Sequence, residues 1–325
     1  MEGTFLTTEE RAWFSKRQPA GVTLFKRNLS DTNQIKNLVE EIQSTRHPSL
    51  PPLIIAIDQE GGRVSRMPKD FPNEGPCLDL YPGVEQNSLN KLEIYGKKVG
   101  QALREHGINT NFAPVCDILT NEENTAIGDR VFGKEAREVI PRAQAFMHGL
   151  QQAGSFSCLK HFPGQGDADA DTHLKPSSIN HSMDILDSRE LTPFKALAPD
   201  AEMIMISHCI YPALDNEPAS LSKKVITYFL RQKWGYKGII VSDDMNMKAL
   251  PQEKLGWSGA IVRAAQAGSN LILVCRDLDR CEMAYEALHR ASESGIELAS
   301  HMKNSSKRIL DLRLKLNSQG SCKNA

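Results

Sequence analysis

The feature that most constrains this chain is a series of seven short apolar runs. Each is followed at once by polar residues and separated from the next by a helical pattern. The runs are Val22–Phe25, Leu53–Ile57, Ile108–Phe112, Ser157–His161, Glu202–Ser207, Gly238–Ser242 and Leu271–Cys275. Unbroken apolar character, as in Leu53-Ile54-Ile55-Ala56-Ile57, suits strands covered on both faces, which is the signature of a parallel sheet. Between the runs, Ile35, Leu38, Val39 and Ile42 repeat at helical spacing behind the candidate caps Ser30 and Asp31. A second helix spans Leu92 to His106 and stops at Gly107, and Val139, Ala143, Phe146, Met147 and Leu150 mark a third. Thr192 and Pro193 read as a cap and first helical position. Ser222 caps a stripe of Val225, Ile226, Phe229 and Leu230 that Gly235 ends, and Trp257 to Ala267 runs into Gly268.

Strands alternating with helices through short loops predict an α/β fold, a (β/α)8 TIM-type barrel in one domain over 1–325. Its core spans about 8–315, and a polar, frayed tail covers 316–325. A doubly wound open sheet is the structural alternative. Eight strands close such a barrel, and the eighth would precede Val22, where residues 1–7 are a poor match. The first strand is therefore expected to be degenerate or missing.

Charge excludes whole classes of function. The 325 residues carry 39 Lys+Arg against 40 Asp+Glu, a formal net charge of -1, so no cationic field is present for nucleic acid or a membrane surface. Seven scattered cysteines show no C-x-x-C spacing, which predicts free thiols, no zinc motif and a cytoplasmic setting. No basic-then-apolar leader and no apolar run near the roughly 18 residues of a membrane helix is evident.

In a parallel barrel, chemistry sits where strands end. The residues there are Asp58-Gln59-Glu60-Gly61-Gly62-Arg63, then Lys160-His161-Phe162-Pro163-Gly164-Gln165-Gly166, then Ser207-His208 and Ser242-Asp243-Asp244. A cleft lined with Asp, Lys, His and Arg suits a polyhydroxylated ligand. Asp167, Asp169 and Asp171 alternate as in a calcium loop. Thr172 and Ser178 stand where an EF-hand needs Gly and Glu, so that reading fails.

Lys160-His161-Phe162-Pro163-Gly164-x-Gly166 followed by Asp171-Thr172-His173 resembles the signature of glycoside hydrolase family 3, and Ile239–Met247 resembles its nucleophile segment. Gly21–Asn28, Ala56–Met67, Asn111–Asp117, Ile127–Gly133 and Tyr211–Ser222 are similar to further family segments. The Asp171-x-His173 pair points to the β-N-acetylglucosaminidase branch, and the length is similar to that of its single-domain enzymes of bacterial peptidoglycan recycling.

The resemblance implies roles for particular residues. Asp243 is the nucleophile, His173 the general acid/base and Asp171 its partner. Asp58, Arg130, Lys160 and His161 hold the hydroxyls of N-acetylglucosamine, with Arg66 and His208 lining the same pocket. It implies a monomer acting on a small oligosaccharide, GlcNAc–anhydroMurNAc-peptides, with no metal and no organic cofactor.

Elementary chemistry agrees with these roles. A retaining glycosidase needs an ionised carboxylate fixed beneath the anomeric carbon, and a histidine near its ordinary pKa serves as acid and base at neutral pH. Asp244 is the rival nucleophile, or a structural acceptor for backbone N–H groups. The small residues of 164–170 read as a loop that delivers His173. Gln165 replaces a second family histidine and cannot titrate. Three rival functions are a metal-dependent hydrolase using His161, Asp171, His173 and Asp243, a non-catalytic sugar-binding barrel, and phosphorolysis in place of hydrolysis.

Overall fold

The computed structural model describes residues 1–169, 175–250 and 252–320, with the backbone alone at 252–254 and 317–320. All seven apolar runs form parallel strands, with boundaries that differ from those of the runs by a few residues. They are β1 (Gly21–Leu24), β2 (Ile54–Ile57), β3 (Thr110–Asn111), β4 (Phe156–Phe162), β5 (Met203–Ile206), β8 (Ile239–Asp244) and β9 (Leu271–Leu273). Hydrogen bonds join them in the order β1-β2-β3-β4-β5-β8-β9, the sequential order of a barrel wall rather than the reversed order of a doubly wound sheet. Helices α1 (Thr8–Arg17), α2 (Thr32–Ser44), α3 (Gln86–Glu105), α4 (Ala136–Gln152), α5 (Met183–Ser188), α6 (Leu191–Leu197), α7 (Gln252–Ala267), α8 (Leu278–Ser294) and α9 (Ile296–Gly320) accompany them. A wide helix spans Lys224–Lys233, and the turn leaving it bonds Trp234 N–H to the Phe229 carbonyl five residues back. The molecule is an α/β TIM-type barrel in one domain, with seven of its strands among the described residues.

Local chemistry explains most boundaries. Asp31 accepts from the N–H groups of Asn33 and Gln34 at 3.0 Å each, so it, rather than Ser30, is the cap of α2. Ser222 accepts from Val225 N–H at 3.1 Å, as its sequence position implied. The reading at Thr192 is corrected. Helix α6 begins at Leu191 behind Glu190, and the Thr192 hydroxyl instead donates to the Asp187 carbonyl at 3.0 Å. Helix α3 starts at Gln86, six residues before the apolar stripe, and α7 starts at Gln252 with a break at Gly256 (φ +66°). The tail boundary also moves. Helix α9 runs to Gly320, and Leu316 is buried. A two-stranded hairpin, β6 (Ile210–Tyr211) with β7 (Asp215–Pro218), was not evident from the sequence.

Two packing features place the site. Gly96 of α3 and Gly149 of α4 let those helices touch backbone to backbone. A Cβ would meet the Phe146 carbonyl at 2.3 Å from Gly96 and that of Glu93 at 2.2 Å from Gly149. Inside the barrel, Ile54, Ala56, Phe156, Met203 and Ile239 form an apolar layer closed at the foot by Leu312 and Leu316 of α9. Arg313 of the same helix donates to the Pro51 and Pro52 carbonyls. With the foot plugged, the strand ends at the opposite rim are left for ligand.

Candidate active site

The rim holds a cavity of about 430 Å3, within the roughly 300–1,000 Å3 of small-molecule sites. Of the residues assigned from the sequence, it brings together Asp58, Arg66, Arg130, Lys160, His161 and Asp243 from distant parts of the chain. Asp58 follows β2, Lys160 and His161 lie in β4, and Asp243 lies near the end of β8. Asp171 and His173 lie outside the described residues.

The wall of the site is an alternation of charges. Lys160, 2% exposed, donates to Asp58 Oδ1 at 2.7 Å and reaches Glu60 Oε1 at 2.6 Å. Arg130 forms a two-pronged pair with Glu60, at 2.7 and 2.8 Å, and donates to the Ala126 carbonyl at 2.8 Å. Burial alone would push the Glu60 carboxyl up. The adjoining Arg130 and Lys160 cations outweigh it and hold the acid well below the ordinary carboxylate range. Burial likewise disfavours the Lys160 ammonium, but Asp58 and Glu60 keep it above its ordinary value, so it stays charged. A buried chain of ion pairs is a weak source of stability, yet it fixes geometry because no member can move without exposing another.

His161 is held from behind. Its Nδ1 lies 2.7 Å from Asp117 Oδ2, and the other oxygen of this fully buried aspartate accepts from the His161 and Gln165 N–H groups at 3.1 and 2.7 Å. Its Nε2 faces the Arg130 guanidinium at 3.5 Å. One nitrogen is committed to a carboxylate and the other faces a fixed cation, which argues against His161 as a metal ligand. Among the described residues, the one His/Cys/Asp/Glu group with metal spacing is Asp167, His181 and Glu190. There the Arg189 guanidinium already pairs with Asp167 and Glu190.

The two neighbouring acids differ. Asp244 Oδ1 accepts from the Asn246 and Cys275 N–H groups, both at 3.1 Å, so it is the structural acceptor that ties β8 to the chain after β9. Burial, with the Asp243 charge adding to it, raises the Asp244 carboxyl above its ordinary value. Asp243 lines the cavity and accepts from the Asp244 N–H at 2.8 Å. His208 is placed differently from the sugar-lining role implied for it. It is fully buried, with Nδ1 2.6 Å from the Ser220 hydroxyl and Nε2 3.0 Å from the Asp244 carbonyl, so it braces the strand end from behind. Arg66 lines the cavity, and its Nε is buried without a hydrogen-bond partner among the described residues, a donor suited to a ligand.

The stem ahead of residue 170 is anchored. Gln165 and Gly166 carbonyls both accept from Asn124 Nδ2, at 2.9 and 3.1 Å, and Gln165 Oε1 accepts from Ser207 at 3.0 Å. A Cβ at Gly166 would fall 1.6 Å from the Ile118 carbonyl, which explains the glycine. Asp167 pairs with His181, and Asp169 accepts from Ser177 at 2.6 Å, which uses two of the three acids of the rejected calcium loop. Glu60 was not assigned a role from sequence, whereas Asp117 was read there as ordering the pocket through hydrogen bonds, as its bonds to His161 and Gln165 do. An acid two residues after Asp58, and another following the β3 run, were the signals available.

The model of the glycosyl hydrolase family 3 N-terminal domain matches residues 4–312. The chain belongs to this family. A beta-hexosaminidase of Nitrosomonas eutropha is 36% identical over 288 residues, covering 86% of this chain and 80% of that one. A family 3 beta-N-acetylglucosaminidase structure from Paenibacillus sp. str. FPU-7 superposes with a TM-score of 0.90 at 33% identity. It covers 98% of this chain, which spans only 60% of that protein. NagZ from Neisseria gonorrhoeae, solved with a zinc ion, gives a TM-score of 0.77 at 31% identity, over 88% of this chain and 81% of that one. Family membership makes the barrel a glycoside hydrolase and the rim cavity its candidate sugar site. No helix among the described residues is long and apolar enough to cross a membrane.

Proposed function

We propose that this enzyme is a retaining exo-β-N-acetylglucosaminidase of the β-hexosaminidase type. It releases terminal β-1,4-linked GlcNAc from 1,6-anhydro-muropeptides in cell-wall recycling, as a cytoplasmic monomer. The observation that carries the reading is the division of labour at the end of β8. Asp244 is occupied by two backbone N–H groups, and Asp243 faces the cavity. The relatives' names support the sugar. The described cysteines are all free thiols, which agrees with a reducing compartment.

The first step forms a bond between an Asp243 carboxylate oxygen and C1 of the sugar and breaks the C1–O glycosidic bond. The leaving oxygen takes a proton from His173, whose imidazolium Asp171 favours. In the second step His173 takes a proton from water as the water oxygen displaces Asp243 from C1. Asp58 accepts from sugar hydroxyls. Lys160, two of whose N–H groups go to Asp58 and Glu60, keeps a third for donation alongside Arg130 and Arg66.

Aryl 2-acetamido-2-deoxy-β-glucosides test this directly. Asp243→Asn should lower kcat by roughly 10^4-fold or more. His173→Ala should lose about 10^2- to 10^4-fold on a poor leaving group and far less on a nitrophenolate, which needs no proton. Near-normal rates for Asp243→Asn, or equal losses for both leaving groups in His173→Ala, would refute the mechanism. Activity that EDTA abolishes would favour the metal-dependent reading instead.

A further inference from the structure

The foot of the barrel carries a polar cavity that shares no lining residue with the sugar site. It holds about 440 Å3 and lies where the chain enters β8 and β9. Tyr236 and Lys237 line it ahead of the first strand, and Gly268 and Asn270 ahead of the second. Arg231 of the wide helix, with His301 and Arg308 of α9, completes its charged wall. None of its described lining residues is acidic. That imbalance is local. The adjoining cavity shares Thr227 and His301, yet its cations are answered, Lys223 by Glu297 and Arg263 by Glu217.

The cationic wall is held in place. Arg231 donates to the Tyr236 carbonyl at 2.6 Å and to Asn270 Oδ1. Asn270 is itself fixed, since Oδ1 also accepts from the Ile240 N–H at 2.9 Å and Nδ2 donates to the buried Ser305 hydroxyl at 2.9 Å. Arg308 donates to the Lys237 carbonyl at 2.9 Å. These acceptors are neutral, and they leave most of the five N–H groups of each guanidinium for another partner. Burial and the neighbouring Arg308 charge pull Arg231 down to about 10, so the two cations are held together against their own repulsion.

We propose that this cavity binds the phosphate group of a small phosphorylated polyol, with Arg231 and Arg308 as its two clamps. Planar guanidinium forks match phosphate oxygens, and a dianion between them offsets both charges. The volume is that of a small-molecule site rather than of a bare ion. The exposed Gln232 and Asn304 amides in the lining suit hydroxyl groups on the rest of the ligand. A bound phosphate ties the wide helix to α9, whose Leu312 and Leu316 seal the foot, so occupancy is read as stability.

Thermal unfolding of the full chain tests this with glycerol phosphate, inorganic phosphate, glycerol, and NaCl at matched ionic strength. Glycerol phosphate at about 10 mM should raise Tm by roughly 2–4 °C over NaCl, and glycerol should not. Arg308→Gln should remove the shift, and Lys223→Gln in the adjoining cavity should keep it. Arg231→Lys, which keeps the charge but not the fork, should need about tenfold more ligand for the same shift. No shift beyond that of NaCl, or an equal shift in Arg308→Gln, would overturn the proposal. A shift from inorganic phosphate with none from glycerol phosphate would overturn it in favour of a bare-ion site.

Discussion

The rim and the foot of this barrel are built from the same strands yet obey opposite rules. At the foot, β2, β4, β5 and β8 send Ile54, Phe156, Met203 and Ile239 into one apolar layer sealed by Leu312 and Leu316. At the rim, β4 carries Lys160 and His161 into a wall of four alternating charges, and β8 carries Asp243. The foot gains from dispersion and dehydration and tolerates repacking of similar volume. The rim gains little net stability from its ion pairs but accepts no loose member. The lesson is that one end holds the fold and the other holds the geometry, and substitutions should separate them.

The largest expected effect on stability is at the rim. Glu60→Gln leaves the buried Lys160 and Arg130 cations facing a neutral amide and should cost about 3–5 kcal/mol in urea unfolding at pH 7. It should also raise KM, because both cations lose their anchor. Glu60 is held below its unfolded value of about 4.3, so its contribution is present above that pH and lost as pH falls through the folded value. The variant should therefore show a shallower decline of stability below about pH 4. An unchanged acid limb would break the argument that the pair is fixed and ionised.

At the foot, Leu312→Ala should cost about 2–4 kcal/mol and leave kcat/KM unchanged wherever the protein is folded. A fall in kcat/KM without unfolding would show that the two ends are coupled. The smallest effect belongs to the outer lip, where Arg63 pairs with Asp129 at 2.8 Å and both are exposed. Asp129→Asn should change stability by less than about 1 kcal/mol, and 1 M salt should abolish the difference. A larger, salt-resistant change would move this pair into the rigid part of the rim.

The strands were legible because burial on both faces demands unbroken apolar runs, as in Leu53–Ile57. Even β3 announced itself, although only Thr110 and Asn111 form its ladder. Asn109 and Asn111 extend it with side-chain amides that bond to Ile55, Leu53 and Gln59. Helix α1 was missed because only Glu10 and Phe14 on it are buried, so no apolar stripe marks it. Its Thr7–Glu10 capping box was the signal present. The β6–β7 hairpin was too short and proline-bounded to show periodicity.

The sequence by itself determined the parallel strands and the strand ends that bear reactive side chains, since hydrophobic period and local order are properties of neighbouring residues, whereas the preference for Asp243 over Asp244 rests on the resemblance of Ile239–Met247 to the family's nucleophile segment. The tertiary structure decided which charges neutralise one another. Glu60 bridges Lys160 and Arg130, Asp117 holds His161, and His208 stands behind the site rather than in it. Those pairings join residues as far as 100 positions apart in the chain. Only the curled wall of parallel strands brings their side chains within the few ångströms over which a buried charge feels its partner.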